Sequence, residues 1–268
     1  MLIPVLFIIA LAAALIGFAA GLGLWQALLL FVVAYLLANL ICVLLAFSTC
    51  LLVKDMEKPI EKENPACRLA AVTAFGLVCG YLGVRAKTIG QQLLPQDDKY
   101  LVVCNHRSGF DPVVMMYQLR RHKVSFVAKP SVMSLPIIGR VAYGIGCLSI
   151  DRENDRNALK TILTAANYLK KGICNICIFP EGTRSRTGEM LPFHAGSFKI
   201  AQRAGKPLVI AAMTGTESIT KNALRRRTDV VLKIIEVVPA DKVKAMNTQE
   251  LADYSAELIS KHIEEGLR

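Results

Sequence analysis

Two polar segments of this sequence contain the side chains best suited to chemistry. The first places His106 and Asp111 in a His-x4-Asp spacing. A turn between a strand and a helix can fold this spacing so that the carboxylate holds one ring nitrogen and leaves the other free to take a proton. The second segment, Phe179–Ser185, contains a glycine where backbone can approach a ligand and an arginine that can bind an anion. Together they predict a general base close to an anion site.

The second segment has the composition of a phosphate-binding site. Arg184 and the backbone amide of Gly182 can bind a phosphate monoester, and Arg152 can add a second cation. Glu181 can orient these groups or the ligand, and Thr183 completes the candidate set. Two arginines anchor a phosphate without a metal, and no metal site is predicted. Each segment alone also fits an ordinary surface turn, but their joint presence in this order favours a site.

Three segments resemble sequence blocks of the glycerolipid acyltransferase family. Asn105–Asp111 is similar to the family's His-x4-Asp block, Gly146–Arg152 to its Gly-x-x-x-Ile-Asp-Arg block, and Phe179–Ser185 to its third block. Their order and spacing agree with the family too. The fourth block departs from the pattern, because Ile210 in Pro207–Ala212 stands where a proline is common.

The resemblance, which covers residues 85–240, implies an enzyme that acylates glycerolipids. It points to 1-acylglycerol-3-phosphate O-acyltransferase activity, which transfers the acyl chain of a thioester to the free hydroxyl of lysophosphatidic acid and gives phosphatidic acid. The implied donor is acyl-CoA or acyl-carrier protein, with no cofactor. Another lysophospholipid or glycerol 3-phosphate is the alternative acceptor.

A lipid hydrolase or a non-catalytic lipid-binding protein is the rival interpretation. The sequence contains no Gly-x-Ser-x-Gly nucleophile elbow, which speaks against a hydrolase. Ser108 is a conceivable nucleophile, whereas Cys104 looks like the buried end of a strand. A covalent acyl-enzyme on either residue would favour the hydrolase, and lipid binding without turnover would favour the binding protein.

The amino-terminal segment, residues 1–53, contains no charged residue and no histidine. As one helix it would be about 80 Å long, against a hydrocarbon core of about 30 Å, so one span is too few. Glycines in its middle predict a membrane hairpin of helices near 3–22 and 27–52. Basic residues begin at Lys54, which places the catalytic domain in the cytoplasm. A buried helical pair in a soluble core is the alternative.

The charge and the cysteine spacing of the remaining chain limit the kinds of ligand and partner that it can be expected to bind. The net charge of +11 falls on residues 54–268 and favours membrane lipids and a phosphorylated or CoA-borne substrate over nucleic acid. The basic cluster around Arg225–Arg227 is either a lipid contact or a solvated turn. Cys174 and Cys177 have zinc-type spacing without a second pair, so core packing is favoured.

Alternating apolar segments predict an α/β fold in which helices cover both faces of a sheet. The family resemblance implies the fold of glycerol-3-phosphate acyltransferases, with a mixed sheet flanked by helices. A linker with an interfacial or buried helix, residues 54–84, connects the hairpin to the catalytic domain, residues 85–268. The predicted strands are 100–104, 124–128, 174–179, 208–213 and 230–238. The predicted helices of this domain are 112–121, 157–169 and 249–265.

Overall fold

The protein is described by a computed structural model that covers residues 2–48, 51, 53, 55–56, 58–151, 154–185, 189–223 and 225–267. Its strands are β1 (Val84–Ile89), β2 (Leu101–Cys104), β3 (Val124–Ala128), β4 (Leu148–Ser149), β5 (Asn175–Ile178), β6 (Leu208–Thr214) and β7 (Thr228–Val238). Its helices are α1 (Leu2–Ala19), α2 (Leu24–Ser48), α3 (Pro65–Tyr81), α4 (Asp111–Gln118), α5 (Pro130–Met133), α6 (Ile138–Gly144), α7 (Asp155–Lys170), α8 (Lys199–Ala204), α9 (Ile219–Asn222), α10 (Ala240–Ala245) and α11 (Thr248–Glu264).

The strands form one seven-stranded sheet in the order β1-β7-β6-β2-β5-β3-β4. Strands β2 to β6 run parallel, β7 is antiparallel to β6, and β1 is parallel to β7. The predicted mixed sheet flanked by helices is therefore confirmed. Because β2, β5 and β6 are adjacent and parallel, the residues that follow them meet at the carboxyl edge of the sheet, where α/β proteins bind ligands.

The hydrophobic core lies on both faces of the sheet. Along β2 the side chains alternate: Leu101 and Val103 pack in the cluster that includes α7, α8 and α11, while Val102 and Cys104 pack in the cluster that includes α3 and α4. This alternation is the period of two expected of a strand. Since all four side chains are fully buried, β2 is a rigid base for the residues that follow it.

The cysteines of the α/β domain are buried. Cys174 packs in the core on one face of the sheet and Cys177 on the other. Burial raises the pKa of the Cys174 thiol to about 12 and raises that of Cys177 well above its usual value. Both residues are core side chains, as their sequence context favours, and their opposite orientation prevents them from sharing a metal ion.

The amino-terminal helices α1 and α2 form an antiparallel pair joined by a turn at Gly21, which has a φ of 97°. Phe7 packs edge-on against Phe31, with 5.2 Å between the ring centroids. Within α2, Leu24–Cys42 is 19 residues long and apolar enough to cross a membrane, which fits a membrane anchor. Helix α1 is shorter, and its entry into the membrane stays a prediction. The predicted end of the second helix, residue 52, lies outside the described residues.

Helix α3 contacts both the amino-terminal pair and the sheet. Near its start, the buried Arg68 forms an ion pair with Glu63 at 2.8 Å and donates to the carbonyl of Val124 on β3. At its end, the Tyr81 hydroxyl donates to Oδ1 of Asn39 on α2 at 2.7 Å. Helix α3 therefore links α2 to the sheet through side-chain hydrogen bonds at its two ends.

Candidate functional site

The His106 turn, residues 105–111, connects the end of β2 to the start of α4. Nδ1 of His106 lies 2.8 Å from Oδ2 of Asp111. Asp111 is fully buried as the first residue of α4, where the amino end of a helix favours a negative charge. The structure thus brings together the two residues of the His-x4-Asp spacing in the arrangement that the sequence predicts.

The carboxylate of Asp111 is held by four hydrogen bonds. Its Oδ2 accepts the His106 ring N–H and the backbone amides of Arg107 at 2.7 Å and Ser108 at 2.8 Å. Its Oδ1 accepts the hydroxyl of Thr216. An acceptor at Nδ1 selects the imidazole tautomer with its proton on Nδ1 and its lone pair on Nε2. Among the described residues, none is hydrogen-bonded to Nε2, so this nitrogen is open to a substrate proton.

The His106 ring is also held by stacking. It lies on the ring of Phe179, with centroids 4.3 Å apart and planes 18° from parallel. Phe179 stacks in turn on Phe126, with centroids 6.2 Å apart. Phe179 follows β5 directly, so the neighbouring strand fixes the orientation of the imidazole.

Glu181 joins the two polar segments through the backbone. Its Oε1 accepts the amide of His106 at 2.6 Å and its Oε2 accepts the amide of Leu191 at 2.9 Å. In the reverse direction, the amide of Ser185 donates to the carbonyl of His106 at 3.1 Å. Burial raises the pKa of the Glu181 carboxyl above its usual value. The predicted contact of Glu181 with a ligand stays a prediction, since both of its oxygens already hold backbone amides.

The raised pKa of Glu181 predicts a specific dependence of stability on pH. As pH rises, the unfolded chain releases this proton first, so the folded protein loses stability between the ordinary pKa and the raised one. The Glu181→Gln variant lacks this titration. We expect the stability of the wild type relative to that variant to fall as pH rises through this window. Denaturant unfolding of both proteins over the acidic range measures the difference, and parallel curves would contradict the prediction.

Asn105 ties the His106 turn to the other neighbouring strand. Its side-chain amide donates to the carbonyl of Met213 at 2.9 Å, and its Oδ1 accepts the amide of Met213 at 2.8 Å. These two bonds extend the pairing of β2 and β6 beyond the last residue of β2. The sequence did not predict the supporting contacts made by Asn105, Phe179 and Thr216. Each contact joins residues that are distant in the chain, so no local pattern indicates it.

The predicted phosphate-binding residues lie beside the His106 turn. Arg184 is exposed, and a Cβ atom added to Gly109 would lie 3.5 Å from its Nη1, so the guanidinium faces this turn. Thr183 is exposed as well. Gly182 has a φ of 76°, and its amide donates to the carbonyl of Phe179 at 3.1 Å. That amide is therefore engaged in the turn itself, and its binding of a phosphate stays a prediction. Arg152 lies outside the described residues.

The two candidate nucleophiles are poorly placed for attack. The Cys104 thiol is fully buried, and burial raises its pKa well above the usual value, so it stays protonated. The Ser108 hydroxyl accepts the amide of Phe110 at 3.2 Å. Within the described ranges, no hydroxyl or thiol is hydrogen-bonded to His106. This arrangement favours direct attack by a substrate hydroxyl over an acyl-enzyme.

A cavity of about 320 Å³ opens beside these segments. It is lined by Arg107 from the His106 turn, by Ser185 from the second segment and by Ser260 and Glu264 from α11. Helix α11 thus closes one side of this cavity, which borders the His106 turn but is not lined by His106 or Arg184. In the part of the chain that the structure describes, no three His, Cys, Asp or Glu side chains are grouped to hold a metal ion.

Comparison with known proteins is consistent across sequence and structure. The Acyltransferase family model matches residues 85–214. The chain is 28% identical over 210 residues to the 1-acyl-sn-glycerol-3-phosphate acyltransferase of Haemophilus influenzae, covering 77% of this chain and 85% of that protein. It is 31% identical over 166 residues to the Salmonella typhimurium protein of the same name, covering 62% of this chain and 67% of that protein. The match to the alpha form from Ovis aries, 31% identical, covers 64% of this chain and 60% of that protein.

A solved structure shows the same fold. The crystal structure of the 1-acyl-sn-glycerophosphate (LPA) acyltransferase PlsC from Thermotoga maritima superposes with a TM-score of 0.62 at 24% sequence identity. The likeness covers 82% of this chain and 86% of the other. At this identity it supports the fold of this chain rather than its substrate.

Proposed function

Because this chain belongs to the acyltransferase family, we propose that it transfers an acyl chain from an acyl thioester to the free hydroxyl of 1-acyl-sn-glycerol 3-phosphate. The product is phosphatidic acid. The names of several relatives support this acceptor. Family membership favours an acyltransferase over the lipid hydrolase and the binding-only protein. We further propose that the reaction uses no cofactor.

In this reaction His106 is the general base. Its Nε2 takes the proton of the acceptor hydroxyl as the oxygen attacks the thioester carbonyl, and Asp111 stabilises the imidazolium. The tetrahedral intermediate then collapses by breaking the carbon–sulfur bond. The imidazolium returns the proton to the leaving thiolate, which restores the neutral histidine. The observation that carries this proposal is the 2.8 Å contact between Nδ1 of His106 and Oδ2 of Asp111, with Nε2 left open.

Arg184 is the proposed anchor for the acceptor phosphate. Its exposed guanidinium faces the His106 turn at Gly109, so an anion bound there lies next to the base. Arg152 is the proposed second cation. The phosphate would thereby fix which hydroxyl of the glycerol reaches His106.

A panel assay tests the acceptor and the donor together. The purified full chain in detergent is given acyl-CoA or acylated acyl-carrier protein with lysophosphatidic acid, glycerol 3-phosphate or lysophosphatidylcholine, and products are identified by lipid mass spectrometry. We expect phosphatidic acid as the main product. Preferential acylation of the phosphocholine acceptor would contradict the proposed phosphate monoester site.

The amino-terminal helices are proposed to anchor the catalytic domain at the cytoplasmic face of a membrane. Val53 is buried in the core of the α/β domain and its carbonyl accepts Nη1 of Arg140 at 3.0 Å, so we propose that the anchor ends before Val53. We expect a truncated protein that begins at Val53 to leave the membrane and keep activity on dispersed short-chain acceptors. One that begins at Asp55 should unfold at a lower temperature. Membrane flotation, thermal unfolding and turnover measure this. A folded Val53 truncation without activity on soluble acceptors would show that the helices form part of the site.

A further inference from the structure

The turn that follows β6 approaches the His106 turn closely. Gly215 opens it with a φ of 93°, and a Cβ atom added there would lie 2.2 Å from the carbonyl oxygen of Asp229 on β7. Only glycine fits this approach without displacement of β7. The turn continues as a short 3-10 helix, Thr216–Ser218. Its path is therefore fixed by the antiparallel pairing of β6 and β7, on the side of the His106 turn away from Phe179.

Two side chains of this turn reach the His106 turn. Thr216 is fully buried, and its hydroxyl donates to Oδ1 of Asp111. Glu217 accepts Nη1 of Arg107 at 3.3 Å. Three donors hold the other carboxylate oxygen of Asp111, whereas Thr216 is the one donor to Oδ1 within the described residues. The orientation of the carboxylate plane therefore depends on this hydroxyl.

From this geometry we propose that Thr216 is a positioning residue that orients Asp111 and, through it, His106. The proposal rests on the proposed function, in which His106 is the base. Without the hydroxyl, Oδ1 is a buried carboxylate oxygen that lacks its donor. The plane of the carboxylate is then less constrained at its contact with Nδ1, and its negative charge is less stabilised. Thr216 lies beyond the family match at residues 85–214, so that match does not assign it a role.

The test compares Thr216→Ser with Thr216→Cys, which differ by one atom, together with Thr216→Val. Serine keeps a hydroxyl donor, whereas a thiol is a weak donor and valine has none. We expect Thr216→Ser to stay within about threefold of the wild-type kcat. Thr216→Val should lose about tenfold to a hundredfold in kcat with nearly unchanged KM, and Thr216→Cys should fall between them. If the valine variant fails to fold, the serine and cysteine pair decides.

Thr228→Val is the matched control. Thr228 is also buried, and its hydroxyl oxygen accepts the side-chain amide of Asn222 at 3.0 Å, away from the site. It should lose stability but keep kcat. A loss of kcat in Thr216→Val no greater than that in Thr228→Val, or a rise in KM without a fall in kcat, overturns the positioning role. His106→Ala is measured in parallel. If it is inactive while Thr216→Cys matches Thr216→Ser, only the positioning role fails, whereas an active His106→Ala removes the proposed base itself.

Discussion

We expect His106→Ala to lower kcat by about 10² to 10⁴, because general-base assistance contributes about this much to a transfer reaction. The affinity for acyl donor and acceptor should stay nearly intact, since a proton acceptor acts mainly in the transition state. Steady-state kinetics with separate titration of each substrate measures the split between kcat and KM. The large factor is expected because Nε2 of His106 is the position left open by the contact of Nδ1 with Asp111.

Two sets of variants control the His106 prediction: changes to its partner Asp111, and a change to a histidine away from the site. Asp111→Asn should cost somewhat less than His106→Ala, and the double variant should lose little more than His106→Ala alone, because an orienting residue has no effect once the base is gone. His122→Ala changes a histidine just before β3, at the opposite edge of the sheet, and should keep full activity. A fully active, folded His106→Ala protein would contradict the mechanism and reopen the choice of Ser108.

Arg184→Ala should reduce kcat/KM for a phosphate-bearing acceptor by about 30- to 150-fold, which corresponds to about 2–3 kcal/mol at 1.36 kcal/mol for each factor of ten. Arg184→Lys should recover only part, because an ammonium cannot bind a phosphate through two parallel N–H donors. The KM for the acyl donor should change little. Kinetics with matched acceptors that carry or lack the phosphate measures the effect.

Arg225→Ala provides the control for charge alone. Arg225 is exposed in the basic cluster that precedes β7, and its loss also removes one positive charge. It should leave kcat/KM on soluble acceptors unchanged. Equal losses from Arg184→Ala on acceptors with and without phosphate would contradict the role of Arg184 as the phosphate anchor.

The local arrangement of the site could be predicted because it is encoded by short segments. The contact of His106 with Asp111 needs only one turn between a strand and a helix, and spacing gives it directly. The groups that support this pair come from β5, from the loop near Leu191 and from the turn after β6. Their contacts depend on which strands are neighbours in the sheet, which a single sequence does not state. Thr216 therefore escaped detection although it contacts Asp111.

In the fold as well, elements with a local sequence pattern could be predicted, whereas features that depend on distant parts of the chain could not. The strand β3 and the amphipathic helix α7 were predicted nearly to the residue, because β3 is a compact run of mostly apolar residues and α7 has a clear helical period. Strand β1 was not predicted, because basic residues alternate with its short apolar ones at the edge of the sheet. A mixed sheet was predicted, but not that β7 is its antiparallel strand, since strand direction is set by the connection and not by the strand's composition. Helices α5 and α6 are too short to show a period.

The burial of the cysteines in the α/β domain bears on how turnover can be observed. If acyl-CoA is the donor, each cycle liberates one sulfhydryl into solution. Cys67, Cys79, Cys104, Cys147, Cys174 and Cys177 are all shielded by the core. Burial also raises the pKa of Cys104 and Cys147, which suppresses the reactive thiolate. A chromogenic disulfide reagent should therefore count released CoA continuously without consuming these six protein sulfhydryls.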